Sequence, residues 1–286
     1  MKEELCARRE REVLALATDI AYSVVPDWYG SGCRSLKMNL IFPKVREGHA
    51  PQPCLLFVCG GAYSVVNAAV WMPEMLYFAR RGFTVATIEY RTSNQACFPA
   101  ALIDVKAAVR FLKAHAQAFC IDPRRIVIAG ESAGGTLSAL VGTTAAQSAY
   151  EQGDHLDHDS SVAAVVDFYG PVDLEHMARP EEDGDVHNWT LPAFLGAGYT
   201  PETARAASAM AQATAGAPPF LILHGTEDAL VDIRTQSDAF YERLRALGVP
   251  VTYYRLQGAG HGDDAFYQDA IKEKILRFMH GVFGGI

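Results

Sequence analysis

A serine lies between two glycines in the pentapeptide GESAG at residues 130–134, the spacing of a nucleophilic turn. The residues before it, 126–129, form a short apolar run typical of a buried strand. Thr136 and the residues that follow predict a helix. A strand, a tight turn and a helix in this order hold a serine hydroxyl out at the end of a sheet. The context therefore favours Ser132 as a nucleophile over an ordinary Gly/Ser-rich loop.

A serine hydroxyl needs a base within hydrogen-bond reach, and histidine is the side chain best suited to that task at neutral pH. Among nine histidines, His261 is the best placed, because it lies in a glycine-rich loop directly after the last predicted strand. His224 also ends a predicted strand. We predict a structural role for His224, because a base at that strand edge would need a partner beyond it.

A third group must hold the imidazole in the correct tautomer and stabilise its protonated form. Asp228, in the loop after the strand that begins at Phe220, is the best candidate. Its neighbour Glu227 would point the opposite way. Two further carboxylates, Asp263 and Asp264, lie too close to the base along the chain and are predicted to be surface charges.

The negative charge that develops on an attacked carbonyl needs preorganised donors. The amide of Ala133, first in its predicted helix, is one candidate. Gly60, Gly61 and Ala62 follow a predicted central strand and can bring further N–H groups alongside, since glycine permits a close approach. The alternative for the glycine pair is an ordinary turn at a strand end.

Predicted strands alternate with predicted helices along most of the chain, and most of these strands are apolar throughout. This pattern indicates an α/β fold with a mostly parallel sheet covered by helices on both faces. Ligands of such folds bind beyond the carboxyl ends of the strands, and all the candidate residues follow strands. We expect residues 1–286 to form a single domain.

Three segments stand outside this alternation. Residues 3–21 have apolar positions at helical spacing and predict an amphipathic helix within an N-terminal helical segment of about residues 1–30, with a flap over the site as the alternative. Residues 172–217 contain no predicted strand and indicate a short helical cap. Residues 151–161 are rich in His and Asp, which favours a solvated loop over a metal site because no tetrahedral ligand spacing is present.

Composition excludes several classes of function. The net charge of −8 argues against nucleic acid as a partner, and no apolar stretch is long enough to span a membrane. The charged N-terminus does not resemble a signal peptide. The six cysteines are scattered and predict small buried side chains rather than disulfides, which favours a cytoplasmic protein. No cofactor or metal is expected.

Together these motifs resemble the α/β-hydrolase superfamily, in particular the carboxylesterase branch related to hormone-sensitive lipase and to feruloyl and acetylxylan esterases. The similarity covers about residues 36–280, and the matching segments are GGAY at 60–63, EYR at 89–91, GESAGG at 130–135, FYGP at 168–171, HGTED at 224–228 and GAGH at 258–261. The chain order Ser132, Asp228, His261 is that of this class. The resemblance implies these three residues as nucleophile, orienter and base, and a cap at residues 172–217.

One position departs from the family pattern. Cys59 stands where the family usually has a histidine before the glycine pair. In the family, that histidine stabilises the loop that carries the oxyanion donors and takes no part in proton transfer. We therefore expect altered loop rigidity or specificity with the hydrolytic chemistry retained, and a buried Cys59 rather than a reactive thiol.

The sequence thus predicts a serine esterase that acts on short acyl or aryl esters, such as acetyl, butyryl or hydroxycinnamoyl esters, through an acyl-enzyme. Tyr63 and Trp189 are candidates to contact the substrate. An arylformamidase-like amidase with the same machinery is the alternative within the fold. A non-catalytic ligand-binding hydrolase fold is the alternative of a different class, and it predicts the loss of a triad residue. A homodimer is compatible with the sequence but no specific residue indicates one.

Overall fold

An eight-stranded sheet forms the centre of this computed structural model, which describes residues 1–8, 10–27, 30–44, 49–179 and 190–284. The strands are β1 (Leu14–Pro26), β2 (Cys33–Pro43), β3 (Gln52–Val58), β4 (Thr84–Ile88), β5 (Ile121–Glu131), β6 (Ala164–Phe168), β7 (Phe220–Gly225) and β8 (Val251–Leu256). Their order across the sheet is β1-β2-β4-β3-β5-β6-β7-β8. The pairings β1–β2 and β2–β4 are antiparallel, and all others are parallel. The predicted mostly parallel sheet is therefore confirmed.

Helices cover both faces of the sheet, as the apolar strands require. They are α1 (Met72–Ala79), α2 (Ala100–Ala114), α3 (Ala133–Thr143), α4 (Leu174–Met177), α5 (Thr190–Leu195), α6 (Pro201–Ala206), α7 (Ala209–Gln212), α8 (Ala239–Ala246) and α9 (Asp269–Val282). Helices α2, α3 and α8 pack on one face, and α1 and α9 pack on the other. Alternate residues of β3 from Cys54 to Val58 point into these two cores, which explains why this part of the strand is wholly apolar.

The N-terminal segment is not the predicted helix. Residues 14–26 form edge strand β1, and the remaining described residues before it have no regular structure. Thr18, Ile20, Tyr22 and Val24 are β-branched or aromatic residues, which favour strands. Pairing with β2 then provides backbone hydrogen bonds that local helical spacing could not reveal. The prediction of a helical segment at about residues 1–30 is therefore wrong, since β1 is a strand of the main sheet.

The predicted helical insertion lies between β6 and β7. Its described parts contain the four short helices α4 to α7 and no strand, and they pack on the same face as α2 and α3. The acidic stretch at residues 181–183 lies outside the described residues. The described part of the insertion therefore packs against the core of the sheet and does not form a separate core.

The polar segment at residues 151–161 binds helix α2 through buried cations. The side chains of Lys106 and Arg110 are fully buried and both pair with the carboxylate of Glu151. Asp154 accepts hydrogen bonds from the hydroxyl and backbone N–H groups of β1 residues Ser23 and Val24. The segment therefore fastens the edge of the sheet to α2, a role that the prediction of a solvated loop missed. Among the described residues, no cluster of three or more His, Cys, Asp or Glu side chains suits a metal ion.

All six cysteines are free thiols. Cys54, Cys59 and Cys120 are buried as predicted, whereas three others are exposed: Cys6, Cys33 and Cys97. In the described part of the chain, no helix has the length and apolar character needed to cross a membrane.

A buried carboxyl group lies next to the strand that carries the serine. Asp167 on β6 pairs in register with Gly130 and is fully buried. Burial raises the pKa of Asp167 to about 7, although the N–H of Gly170 donates to its Oδ1 and opposes the shift. Its Oδ2 has no hydrogen-bond partner. The folded protein therefore retains a proton on Asp167 over a pH range in which the unfolded chain does not.

This proton sets a pH dependence of stability. An unfolded Asp ionises near pH 4, so the folded state binds the extra proton between about pH 4 and 7, and the free energy of unfolding falls as pH rises through that window. Replacing Asp167 with Asn should remove this loss. Relative to wild type, D167N should gain about 4 kcal/mol between pH 4 and pH 8, measured by urea unfolding. The exposed carboxylate control D157N should show no such gain, and a pH-independent difference for D167N would contradict the assignment.

Candidate active site

Ser132 lies on a sharp turn between β5 and α3. Its φ of 53° and ψ of −122° place a non-glycine residue in a strained backbone conformation. A Cβ at Gly134 would lie 2.0 Å from the carbonyl oxygen of Val58, and one at Gly130 would lie 2.2 Å from the carbonyl oxygen of Gly134. Both positions therefore require glycine. The N–H of Ser132 donates to the carbonyl of Phe168 at 2.9 Å, which ties the turn to β6.

Three side chains predicted from separate parts of the chain meet at this turn. His261 Nε2 is 2.9 Å from Ser132 Oγ, and His261 Nδ1 is 2.7 Å from Asp228 Oδ2. Asp228 follows β7 and His261 follows β8, so both reach Ser132 from the carboxyl edge of the sheet. The imidazole is accessible, with 16% of its side chain exposed, whereas the Asp228 side chain is fully buried.

The partners of Asp228 fix its charge. Burial alone would raise the pKa of Asp228, but hydrogen bonds from His224 and His261 and from the amide of Val231 hold that pKa well below its usual range. An ionised carboxylate only accepts, so Nδ1 of His261 carries the proton and Nε2 presents a lone pair to the hydroxyl of Ser132. This is the tautomer that a general base requires.

His224 contacts the same carboxylate oxygen of Asp228 as His261 does. It is fully buried, with Nε2 3.1 Å from Asp228 Oδ2 and Nδ1 2.7 Å from Ser237 Oγ. Because Nε2 donates to the carboxylate, Nδ1 accepts from the serine hydroxyl. The predicted structural role agrees with this position, and its partner is the carboxylate that also holds His261.

The predicted oxyanion donors divide into two groups. Ala62 and Ala133 line the same cavity as Ser132 and His261. As the first residue of α3, Ala133 has no acceptor for its N–H within the helix. The N–H of Gly60, in contrast, donates to Glu131 Oε1 at 2.6 Å. The structure thus leaves Gly61, Ala62 and Ala133 as the candidate donors and gives Gly60 a different partner from the one predicted.

A small cavity opens beside these residues, with a volume of about 260 Å³. Ser132, His261 and Thr190 are its polar residues. The remainder of its lining is mostly apolar: Ala62, Tyr63, Ala133, Pro171, Met177, Ala229, Leu230 and Val231.

The two predicted substrate contacts differ in outcome. Tyr63 lines the cavity, where it stacks on Phe194 at a ring-centroid distance of 3.9 Å and its hydroxyl is 2.8 Å from Thr136 Oγ1. Trp189 lies outside the described residues. Its role in binding remains a prediction.

Other acidic residues near the triad stay at the surface, as predicted. Glu227 is exposed. Asp263 accepts from the N–H of Ala265 at 2.8 Å and so caps a short turn instead of reaching His261. Asp264 is also exposed.

Several contacts of aromatic and acidic side chains around Ser132 and His261 were not predicted from the sequence. The ring of Tyr169 meets His261 edge-on at a centroid distance of 4.8 Å, and its hydroxyl is 3.3 Å from that of Tyr267. Trp71 stacks on Tyr267 at 3.9 Å and its indole N–H donates to Glu131 at 3.3 Å. The FYGP and GESAGG motifs contain Tyr169 and Glu131, but no local pattern predicts these contacts, because they join residues far apart in the chain.

Cys59 is buried at the end of β3 and its side chain belongs to the core beneath α1 and α9. Burial and the nearby charge of Glu131 raise the pKa of the Cys59 thiol to about 12. The thiol is therefore protonated at neutral pH and unreactive, as predicted from its type and position.

The chain is similar to several known esterases. It is 37% identical over 223 residues to Esterase LipC of Mycobacterium tuberculosis, a match that covers 75% of this chain and 54% of LipC. It is 34% identical over 220 residues to the probable carboxylic ester hydrolase LipM of the same organism, covering 74% of this chain and 49% of LipM. The chain thus spans about half the length of these curated relatives.

Solved structures and a family model agree with these relatives. A truncated carbohydrate esterase from gut microbiota superposes with a TM-score of 0.78 at 25% identity, covering 96% of this chain and 98% of that one. A thermophilic esterase of Thermogutta terrifontis gives 0.73 at 26% identity, covering 87% and 88%. The BD-FAE family model matches residues 38–244, most of the sheet and the serine turn. The chain therefore belongs to the BD-FAE family and has the α/β-hydrolase fold of the esterases.

Proposed function

We propose that this protein hydrolyses carboxylic esters of short acyl groups through a covalent acyl-enzyme on Ser132. The observation that carries the proposal is the continuous hydrogen-bonded line from Ser132 Oγ through His261 to Asp228, with distances of 2.9 and 2.7 Å. Such a line activates a serine that is otherwise a weak nucleophile. The esterases to which the chain is similar support the same reaction class.

The proposed reaction follows from the position of each proton. His261 Nε2 takes the proton of the Ser132 hydroxyl as Oγ attacks the ester carbonyl, and the new imidazolium is stabilised by Asp228. The carbonyl oxygen becomes an oxyanion facing the amides of Ala62 and Ala133. The imidazolium then protonates the alcohol as its bond to the carbonyl carbon breaks. Water, deprotonated by the same nitrogen, attacks the acyl carbon, and the imidazolium returns the proton to Ser132 Oγ as the acyl–Oγ bond breaks and the carboxylic acid leaves.

The cavity favours a small apolar acyl group. Its volume of about 260 Å³ lies below the range of sites that enclose drug-sized ligands. Its lining offers few polar side chains besides the reacting ones. Leu230 lines the cavity and is 75% exposed, so it adds an apolar surface open to solvent. Acetyl to butyryl esters therefore fit the site better than long lipids.

This proposal predicts both the substrate range and the essential residue. On p-nitrophenyl esters from acetate to decanoate, kcat/KM should peak between acetate and butyrate and fall at least tenfold by octanoate, because longer chains exceed the cavity. Ser132→Ala should lower kcat/KM by about 1,000-fold or more. The exposed Ser148→Ala is the matched control and should retain wild-type rates.

Failure of either part has a distinct meaning. Retained activity in S132A would contradict the assigned nucleophile. A wild-type protein inert on every ester but active on aryl formamides would replace the ester substrate with an amide. A maximum at decanoate would contradict the inferred acyl site while leaving the nucleophile intact.

The contact between His224 and Asp228 generates a separate prediction. Replacing His224 with Phe keeps an aromatic ring but removes a donor from a buried carboxylate, which should cost about 1–3 kcal/mol of unfolding free energy. The less restrained Asp228 should hold His261 less firmly, so kcat should fall severalfold with little change in KM. Urea unfolding and ester kinetics measure both effects. Ser237→Ala removes only the hydroxyl that contacts Nδ1 of His224, so it should lower the unfolding free energy and kcat less than H224F does. An unchanged kcat in H224F would contradict the coupling of His224 to His261 through Asp228.

A further inference from the structure

One peptide unit at the start of the oxyanion loop, here defined as residues 59–63, is held from both sides by side chains of other strands and loops. The carbonyl of Cys59 accepts a hydrogen bond from the hydroxyl of Tyr90 at 2.9 Å. The N–H of the same peptide unit belongs to Gly60 and donates to Glu131 Oε1 at 2.6 Å. The orientation of this peptide plane is therefore fixed at its acceptor and at its donor.

The residues that follow need such a restraint. Gly61, Ala62 and Tyr63 all have positive φ, at 128°, 50° and 61°. Two of these are side-chain-bearing residues in the left-handed region, a conformation that persists only where surrounding contacts determine it. No acceptor in the described part of the chain takes the N–H of Gly61 or Ala62, so these amides remain available to a ligand. Their direction depends on the peptide unit before them.

The carboxylate of Glu131 is itself positioned for this contact. Its Oε1 also accepts the indole N–H of Trp71 at 3.3 Å. A Cβ at Gly60 would lie 2.6 Å from Glu131 Oε2 and 2.6 Å from its carbonyl oxygen, so only glycine allows the carboxylate to approach. Because Glu131 immediately precedes Ser132, one residue links the nucleophile turn to the oxyanion loop.

We propose that Glu131 is a positioning residue that holds the oxyanion loop in register with Ser132 through the N–H of Gly60, with Tyr90 restraining the opposite end of the same peptide unit. The proposal rests on the proposed function, since it assigns a task within that reaction. Glu131 itself does not touch the reacting atoms. Its effect should therefore appear in transition-state stabilisation and not in substrate binding.

The test compares Glu131→Ala with Glu131→Gln on p-nitrophenyl acetate. E131A removes the acceptor, and we expect kcat to fall about 10- to 100-fold with KM within threefold of wild type, since misdirected donors weaken oxyanion stabilisation. E131Q retains an oxygen acceptor and should stay within threefold of wild type. Glu242→Ala, an exposed charge on α8, is the control for the change in net charge.

A second readout separates positioning from general damage. A trifluoromethyl ketone forms a tetrahedral adduct with the serine whose oxyanion occupies the hole, so its affinity should fall in E131A by about the same factor as kcat, whereas KM should not move. If E131A does not fold, Tyr90→Phe tests the same peptide unit. This variant removes only the hydroxyl that donates to the carbonyl of Cys59, and it should lower kcat at least threefold at constant KM.

The outcomes distinguish this inference from the function on which it rests. If S132A abolishes activity but E131A retains wild-type kcat and inhibitor affinity, the positioning role is overturned and the proposed function stands. The same conclusion holds if E131A is unfolded and Y90F retains both values. If E131Q falls as far as E131A, the hydrogen bond to Gly60 is not the cause and the inference also fails. If S132A keeps wild-type activity, both fail together.

Discussion

The arrangement of this site depends on the close packing of the serine turn against the neighbouring strand. Gly134 lies so near Val58 that no side chain could stand between them, and this approach holds Ser132 at φ 53°. A strained residue stays in place only when its surroundings leave no alternative. Here the surroundings are the parallel strands β3, β5 and β6, whose hydrogen bonds and apolar faces fix the turn from both sides. The stability of the sheet core thus sustains the conformation on which nucleophilic attack would depend.

Parallel topology brings the other groups to the same edge. Asp228 and His261 lie 33 positions apart, yet each lies in the loop after a parallel strand, at the same edge of the sheet as Ser132. The buried Asp228 accepts hydrogen bonds from His224, from His261 and from the N–H of Val231, and these donors stabilise its charge. Asp167, one strand from the turn, accepts a hydrogen bond only from the N–H of Gly170 among the described residues, and burial raises its pKa to about 7. The pKa values of these two buried aspartates therefore shift in opposite directions because their hydrogen-bond partners differ.

The sequence was sufficient to predict the central sheet and the meeting of Ser132, Asp228 and His261, because these follow from apolar runs and from the residues that come after them. It failed where a contact joins distant segments. Residues 3–21 have apolar positions at helical spacing, but pairing with β2 places residues 14–26 in a strand. The donation from Gly60 to Glu131 spans 71 positions and leaves no local pattern. Such contacts are properties of the packed sheet and become visible only in the fold.

The most direct test of the account is to map where a covalent inhibitor binds. A small phosphonate ester with a p-nitrophenol leaving group reacts with an activated serine and forms a stable adduct, which mass spectrometry of the digested protein locates to a residue. We predict one equivalent of adduct on Ser132, and its loss when His261 is replaced by Ala, because the hydroxyl is activated only by that base. An adduct on a different residue, or equal labelling of Ser132 without His261, would contradict the assigned catalytic machinery.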